Sequence, residues 1–213
     1  MTIRITGSSR RTAITSLLSL VLLGAFLGAC DGGKVDEKAE GELTTIGFEG
    51  EDAEALSRLD LDEEEIRQLE LAKQGGLDGT TAAAIITSLH KRDLEFDIGM
   101  EMQTLSGAGY SPTALIKLVE LGAVRSWEAD LRVMKHAGIG ESTILRIAER
   151  KFAEEKEDVL AGRDYERLKN SGMSDAGIEQ FVEKKGTPQD VQKVEQAIRM
   201  GDSEQEAMKK AGM

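Results

Sequence analysis

Three features of this 213-residue chain predict an all-α fold of stacked short helical hairpins. Beyond residue 52 the apolar residues recur at intervals of three and four, the period of one helix face, and β-rich alternating runs are absent. The two prolines, Pro112 and Pro188, each follow a capping residue, Ser111 or Thr187. That is the first helical turn, where a missing N–H costs nothing, so proline here starts helices. The third feature is an internal repeat.

With Gly76, Gly109, Gly138 and Gly172 as origins, the units lie 33, 29 and 34 residues apart. Seven and four residues before each glycine stand Leu69 and Ala72, Met102 and Leu105, Leu131 and Met134, Tyr165 and Leu168. One residue after come Leu77, Tyr110, Ile139 and Met173, followed by Asp78, Ser111, Gly140 and Ser174. Six, nine and ten residues past the glycine lie Ala82, Ile85, Ile86; Leu115, Leu118, Val119; Ile144, Ile147, Ala148; and Ile178, Phe181, Val182. A glycine just past a helix can take the left-handed conformation that closes the last turn, and the residue after it packs back onto the turn before. The next residue caps a new helix. Each unit is therefore a helical hairpin with one apolar stripe per helix.

The chain opens differently. Met1 to Arg11 carries Arg4, Arg10 and Arg11 and no acid, and residues 14–26 form an uncharged apolar run. This is the order of a secretory signal. An uncleaved anchor over residues 12–29 is the alternative, but the stretch is short against the roughly 20 apolar residues of a spanning helix and contains four Thr or Ser. The run closes on Leu27-Gly28-Ala29-Cys30, which resembles the lipobox of bacterial lipoproteins. The resemblance covers the first thirty residues. It implies that residues 1–29 are a discarded signal peptide and that Cys30 is acylated as the mature N-terminus. The protein is then a lipoprotein of the cell envelope, lipid-anchored in a membrane and extracytoplasmic, on the periplasmic side in a Gram-negative cell. Two or three acyl chains would anchor it stably, where one would not. Ser9-Arg10-Arg11 partly resembles a twin-arginine export signal, from which Ala13 and Thr15 depart. Asp31 resembles the residue that retains lipoproteins at the inner membrane of enteric bacteria, and the choice of membrane stays open.

Residues 30–52 contain five glycines among charges and show no helical or strand period, so they read as a flexible tether. Residues 53–213 form the helical body, of roughly ten helices. Gly122 with Ser126, Gly186 with Thr187 and Gly201 with Asp202 mark further helix ends and caps, and the chain closes on a capping helix. Hairpins that cannot bury a face alone must stack, as a short solenoid or a compact orthogonal bundle, and the irregular intervals favour the compact form.

Composition limits the chemistry. Residues 1–29 hold three arginines and no acid, which leaves 24 basic against 39 acidic residues in the mature chain, a net charge of about −15. Such a balance opposes binding to nucleic acid or an anionic lipid surface. Cys30 is the only cysteine, so disulfides and thiolate metal sites are excluded. His90 and His136 lie on helix surfaces with no second metal ligand beside them. Asp60-Leu61-Asp62-Glu63-Glu64-Glu65 lacks the glycine turn of a calcium loop and reads as a cap, Asp62, with an acidic first turn. Glu154 to Asp158 reads as a solvated face. No nucleophile elbow, phosphate loop or His-Glu-x-x-His occurs. No catalytic residue, metal ligand or cofactor is assigned.

One turn carries a sharper possibility. Lys135-His136-Ala137-Gly138-Ile139-Gly140, with Arg146 in the helix beyond, is similar to the helix-hairpin-helix module of DNA-binding and repair proteins. In that family the glycine turn and helix start offer backbone N–H groups to a phosphate, which would place Gly138, Ile139, Gly140, Lys135 and Arg146 at a nucleic-acid contact. The sister units replace Gly140 by Asp78, Ser111 or Ser174, and hairpin geometry alone accounts for the turn. The functional expectation is thus a lipid-anchored, non-catalytic protein whose helical repeats bind a protein or envelope component. A DNA-binding module is the alternative, and an enzyme acting on the cell-wall polymer through paired carboxylates is the second alternative.

Overall fold

The computed structural model describes residues 37–154 and 159–213, and among these it contains helices and no strands. In chain order the helices are α1 (Glu37–Thr45), α2 (Glu51–Ser57), α3 (Glu63–Gln74), α4 (Gly79–His90), α5 (Gly99–Gly107), α6 (Pro112–Glu120), α7 (Ala123–His136), α8 (Glu141–Phe152), α9 (Gly162–Asn170), α10 (Asp175–Glu183), α11 (Pro188–Arg199) and α12 (Glu204–Ala211). No helix among the described residues is long and apolar enough to cross a membrane. The signal segment and Cys30, with its lipobox residues Leu27, Gly28 and Ala29, lie outside the described residues.

The turns behave as the repeat demands. Gly76, Gly109, Gly138, Gly172 and Gly201 all have positive φ, between 79° and 105°. In each turn the N–H of the residue after the glycine reaches back to a carbonyl four residues before it: Leu77 to Ala72, Tyr110 to Leu105, Ile139 to Met134, Met173 to Leu168 and Asp202 to Ala197, at 3.1–3.3 Å. This is the six-to-one bond that closes a helix through a left-handed residue. Caps then start the next helix: Asp78, Ser111, Ser174 and Ser203 each accept an N–H from its first turn. Of the 24 repeat positions, all are buried except the half-buried Val182.

Packing follows every second helix. One row runs α3, α5, α7, α9, α11 and the other α2, α4, α6, α8, α10, α12, each member touching the next in its row, with α1 packed on α2. Helices within a row run in the same direction. Gly99 of α5 lies against Gln68 of α3, and Gly75 at the end of α3 lies against Gln103 of α5, so the two chains advance together. The hairpins therefore stack as two rows. The unequal repeat intervals are absorbed mainly by the links between hairpins, which span residues 58–62, 91–98, 121–122, 153–161 and 184–187. The four-residue turns inside successive hairpins from α3 onward stay constant.

Several boundaries differ from the sequence expectation. The helical body starts by Glu37, so the tether expected over 30–52 is corrected across its described part. Leu43 and Phe48 are fully buried there, and burial holds a nine-residue helix that local propensity would not. Ser126 lies inside α7, which begins directly at Ala123 after the left-handed Gly122. Ser203, not Asp202, caps α12. After α10 the left-handed residue is Lys185 (φ 58°), with Gly186 in the following position against the Phe181 ring.

Candidate functional site

Two places on the stack bear on function: the edge formed by the hairpin turns, which contains the Gly138–Gly140 turn, and a groove at the opposite ends of the same helices.

Along the turn edge, the first acidic residue of one hairpin's second helix clasps the cap of the hairpin before it. Glu141 accepts from the Ser111 N–H (2.9 Å) and hydroxyl (2.5 Å). Asp175 accepts from the Gly140 N–H at 2.8 Å. Glu204 accepts from the Ser174 N–H (2.7 Å) and hydroxyl (2.9 Å). Lysines complete two of the clasps, Lys135 on Glu141 and Lys169 on Asp175, each at 2.6 Å. Burial by itself would raise the Glu141 and Asp175 carboxyls. The hydrogen bonds from Lys135 and Ser111, and from Lys169 and Gly140, outweigh it and hold both below the usual carboxylate range.

This arrangement occupies the residues singled out for phosphate. The Gly140 N–H already has a carboxylate partner, and a Cβ at Gly140 would sit 2.6 Å from Asp175 Oδ2, so a larger residue there would have to shift the Asp175 carboxylate. Lys135 lies on Glu141 and over the Tyr110 ring, 5.0 Å from its centroid. Arg146, on the exposed side of α8, is ion-paired with Glu179 of α10. Ile139 is buried and bonded into the turn, and Gly138 supplies only the left-handed bend. A phosphate at this turn would meet Asp175 head on, like charge against like. The geometry brings Lys135, Ile139 and Gly140 together as a structural joint.

Of the two histidines, His136 is exposed. His90 is tied in: its Nε2 lies 2.8 Å from Oε1 of Glu65, a residue 3 % exposed. The same Oε1 accepts the Phe96 N–H at 2.8 Å, while Oε2 and Asp62 form a reciprocal cap at the start of α3. The Asp62–Glu65 run is thus a capping box whose glutamate also pins the α4–α5 link. Among the described residues no group of three or more His, Cys, Asp or Glu side chains converges as a metal site.

The groove encloses about 460 Å³ where the eight-residue link 91–98 lies beside the two-residue α6–α7 link. Leu89, Ile98, Val119 and Val124 form its apolar floor, and Arg92, Asp93, Leu94, Glu95, Asp97 and Arg125 its rim. Arg125 is ion-paired with Asp97, and Arg92 donates to the carbonyls of Val119 (3.4 Å) and Glu120 (3.3 Å) at the end of α6. Leu94 is 45 % exposed at the rim, and Met100, at the start of α5, is 56 % exposed. Sequence reasoning missed these residues, since a link without period gives no signal. The clasp acids were detectable: an acid recurs three residues past Gly138, Gly172 and Gly201. No model of a known protein family, no curated protein and no solved structure matches the chain.

Proposed function

We propose that this chain is a lipid-anchored extracytoplasmic protein that binds a protein or envelope component through its helical stack and carries out no catalysis. The secretory order of residues 1–29 and the lipobox resemblance at Leu27-Gly28-Ala29-Cys30 support the anchoring. The observation that carries the binding role is the groove between residues 91–98 and the α6–α7 link, an apolar floor of ligand-sized volume with the exposed Leu94 at its rim. The DNA-binding alternative finds its turn donor already engaged by Asp175. The net charge of −12 opposes it further.

Two measurements test the proposal separately. Cells fed an alkyne-tagged fatty acid should label the protein, and Cys30→Ala should abolish both label and membrane retention. Label that survives Cys30→Ala, or an intact leader by mass spectrometry of the purified product, refutes the anchoring. For binding, a photo-crosslinking residue at position 94 of the anchored protein should give a discrete adduct in cells. Adducts of equal yield from a position on the solvent face of α11, such as Gln192, refute a dedicated surface.

A further inference from the structure

The groove has a chemical bias that narrows its partner. Both rim cations are spent internally, Arg125 on Asp97 and Arg92 on the carbonyls that end α6. The Asp93 and Glu95 carboxylates, by contrast, are exposed and engaged by no other described residue. They flank the exposed Leu94 on one short link, above the floor of Leu89, Ile98, Val119 and Val124. Asp93 also stands in the left-handed region (φ 59°), a place that glycine fills in the turns of the repeat, so a carboxylate occupies the bend at the rim. The rim carries three carboxylates, Asp93, Glu95 and Asp97, against the two cations, and such an acidic rim over an apolar floor complements one kind of ligand, while the chain's own net charge of −12 makes a second copy a poor occupant.

We infer that this groove docks a segment of a partner protein in which lysine or arginine stands next to aliphatic side chains, the aliphatic groups on the floor and the cations on Asp93 and Glu95. The inference rests on the binding reading above and adds the chemistry of the partner.

The test uses the full chain solubilised in detergent and a fluorescein-labelled eight-residue peptide of alternating leucine and lysine, followed by anisotropy at physiological salt. This peptide should bind, and peptides of alternating leucine and glutamate or serine and lysine should bind at least about fivefold more weakly. The double variant Asp93→Asn/Glu95→Gln should lose about fivefold or more, as expected for two exposed charge pairs. Asparagine keeps the left-handed bend, and an unchanged melting temperature verifies the fold. Glu63→Gln/Glu70→Gln removes the same charge from the exposed face of α3 and should change affinity less than twofold. Equal losses in both double variants would reduce the effect to diffuse electrostatics and overturn the inference, as would equal binding of the leucine–glutamate or serine–lysine peptide, or no binding of the leucine–lysine one. Failure here leaves the crosslinking test of the binding role standing, whereas a missing adduct at position 94 with intact peptide binding would fault that role and not the groove's chemistry.

Discussion

Gly99→Ala should destabilise the protein although alanine is the better helix former. A Cβ on Gly99 would lie 2.1 Å from the backbone oxygen of Gln68 and 2.8 Å from its carbon. Carbon and carbonyl oxygen pack no closer than about 3.3 Å, so α3 and α5 must part by about 1 Å at this point. The Gly99 N–H bond to Gln68 Oε1, 2.9 Å long, would be strained or lost with it. A gap of that size forfeits a quarter to a half of the dispersion well for atoms across it, among them Leu69, Ala72, Met102 and Leu105, all fully buried. Overpacking of about 1–3 kcal/mol and a lost hydrogen bond of about 1 kcal/mol give a net cost of roughly 2–4 kcal/mol. At about 2–4 °C per kcal/mol for a body of this size, thermal unfolding followed by circular dichroism should show a fall of roughly 5–15 °C. Gly107→Ala in the same helix is the control. No atom lies within 4 Å of its Cβ position, so alanine should raise stability by up to about 1 kcal/mol. A Gly99→Ala protein that melts at or above the native temperature would refute the parallel close approach of α3 and α5.

Three further outcomes follow from the joints. Lys185→Gly should stabilise by about 0.5–1 kcal/mol in urea unfolding, since relief of a left-handed non-glycine residue (φ 58°) exceeds the entropy glycine adds to the unfolded chain. Glu65→Leu should cost about 2–4 kcal/mol, because it orphans the buried Phe96 N–H and opens the α3 cap, and amide exchange at Phe96 should accelerate. Glu141→Gln should destabilise at neutral pH. Because the Glu141 carboxyl is depressed in the folded state, its contribution is present above the unfolded value of about 4.3 and is lost as pH falls through the folded value. The stability gap between native and Glu141→Gln proteins should therefore close below about pH 4, and a gap that widens on acidification would contradict the clasp.

How much of this was legible depends on whether the cause is local. The left-handed glycines, the caps at Asp78, Ser111, Ser174 and Thr187, and the apolar stripes are set within a few residues, and all are in the structure where the spacing put them. Helix α1 was not legible, because EKAEGELTT offers Ala39 and Leu43 as its only apolar residues and gains its order from burying Leu43 beside Phe48. The role of Gly140 was misleading for a related reason. A glycine turn before a helix is equally a phosphate site and a joint, and only the stacking register, which sets Asp175 beside it from 35 residues away, decides between them. Glu141 and Glu204 read as ordinary first-turn acids until the hairpins are stacked.

The same logic explains why a functional surface would sit where it does. On the turn edge the repeat is kept strictly, and its N–H donors are consumed by carboxylates of the next unit from Ser111 to Glu204, so this edge is built to hold the hairpins in line. On the opposite edge the links range from two to nine residues, and nothing in the packing requires one length. Where a long link meets the shortest one, the stack leaves a groove, exposes Leu94, and sets Asp93 at a bend that a glycine would make with less strain. Residues in a repeat that serve stacking alone converge on the repeat's own pattern. The 91–98 link keeps the repeat's left-handed bend but sets a carboxylate, Asp93, where the repeat has glycine, beside an exposed leucine over an apolar floor, and that combination is what an interaction site, and not a joint, would produce.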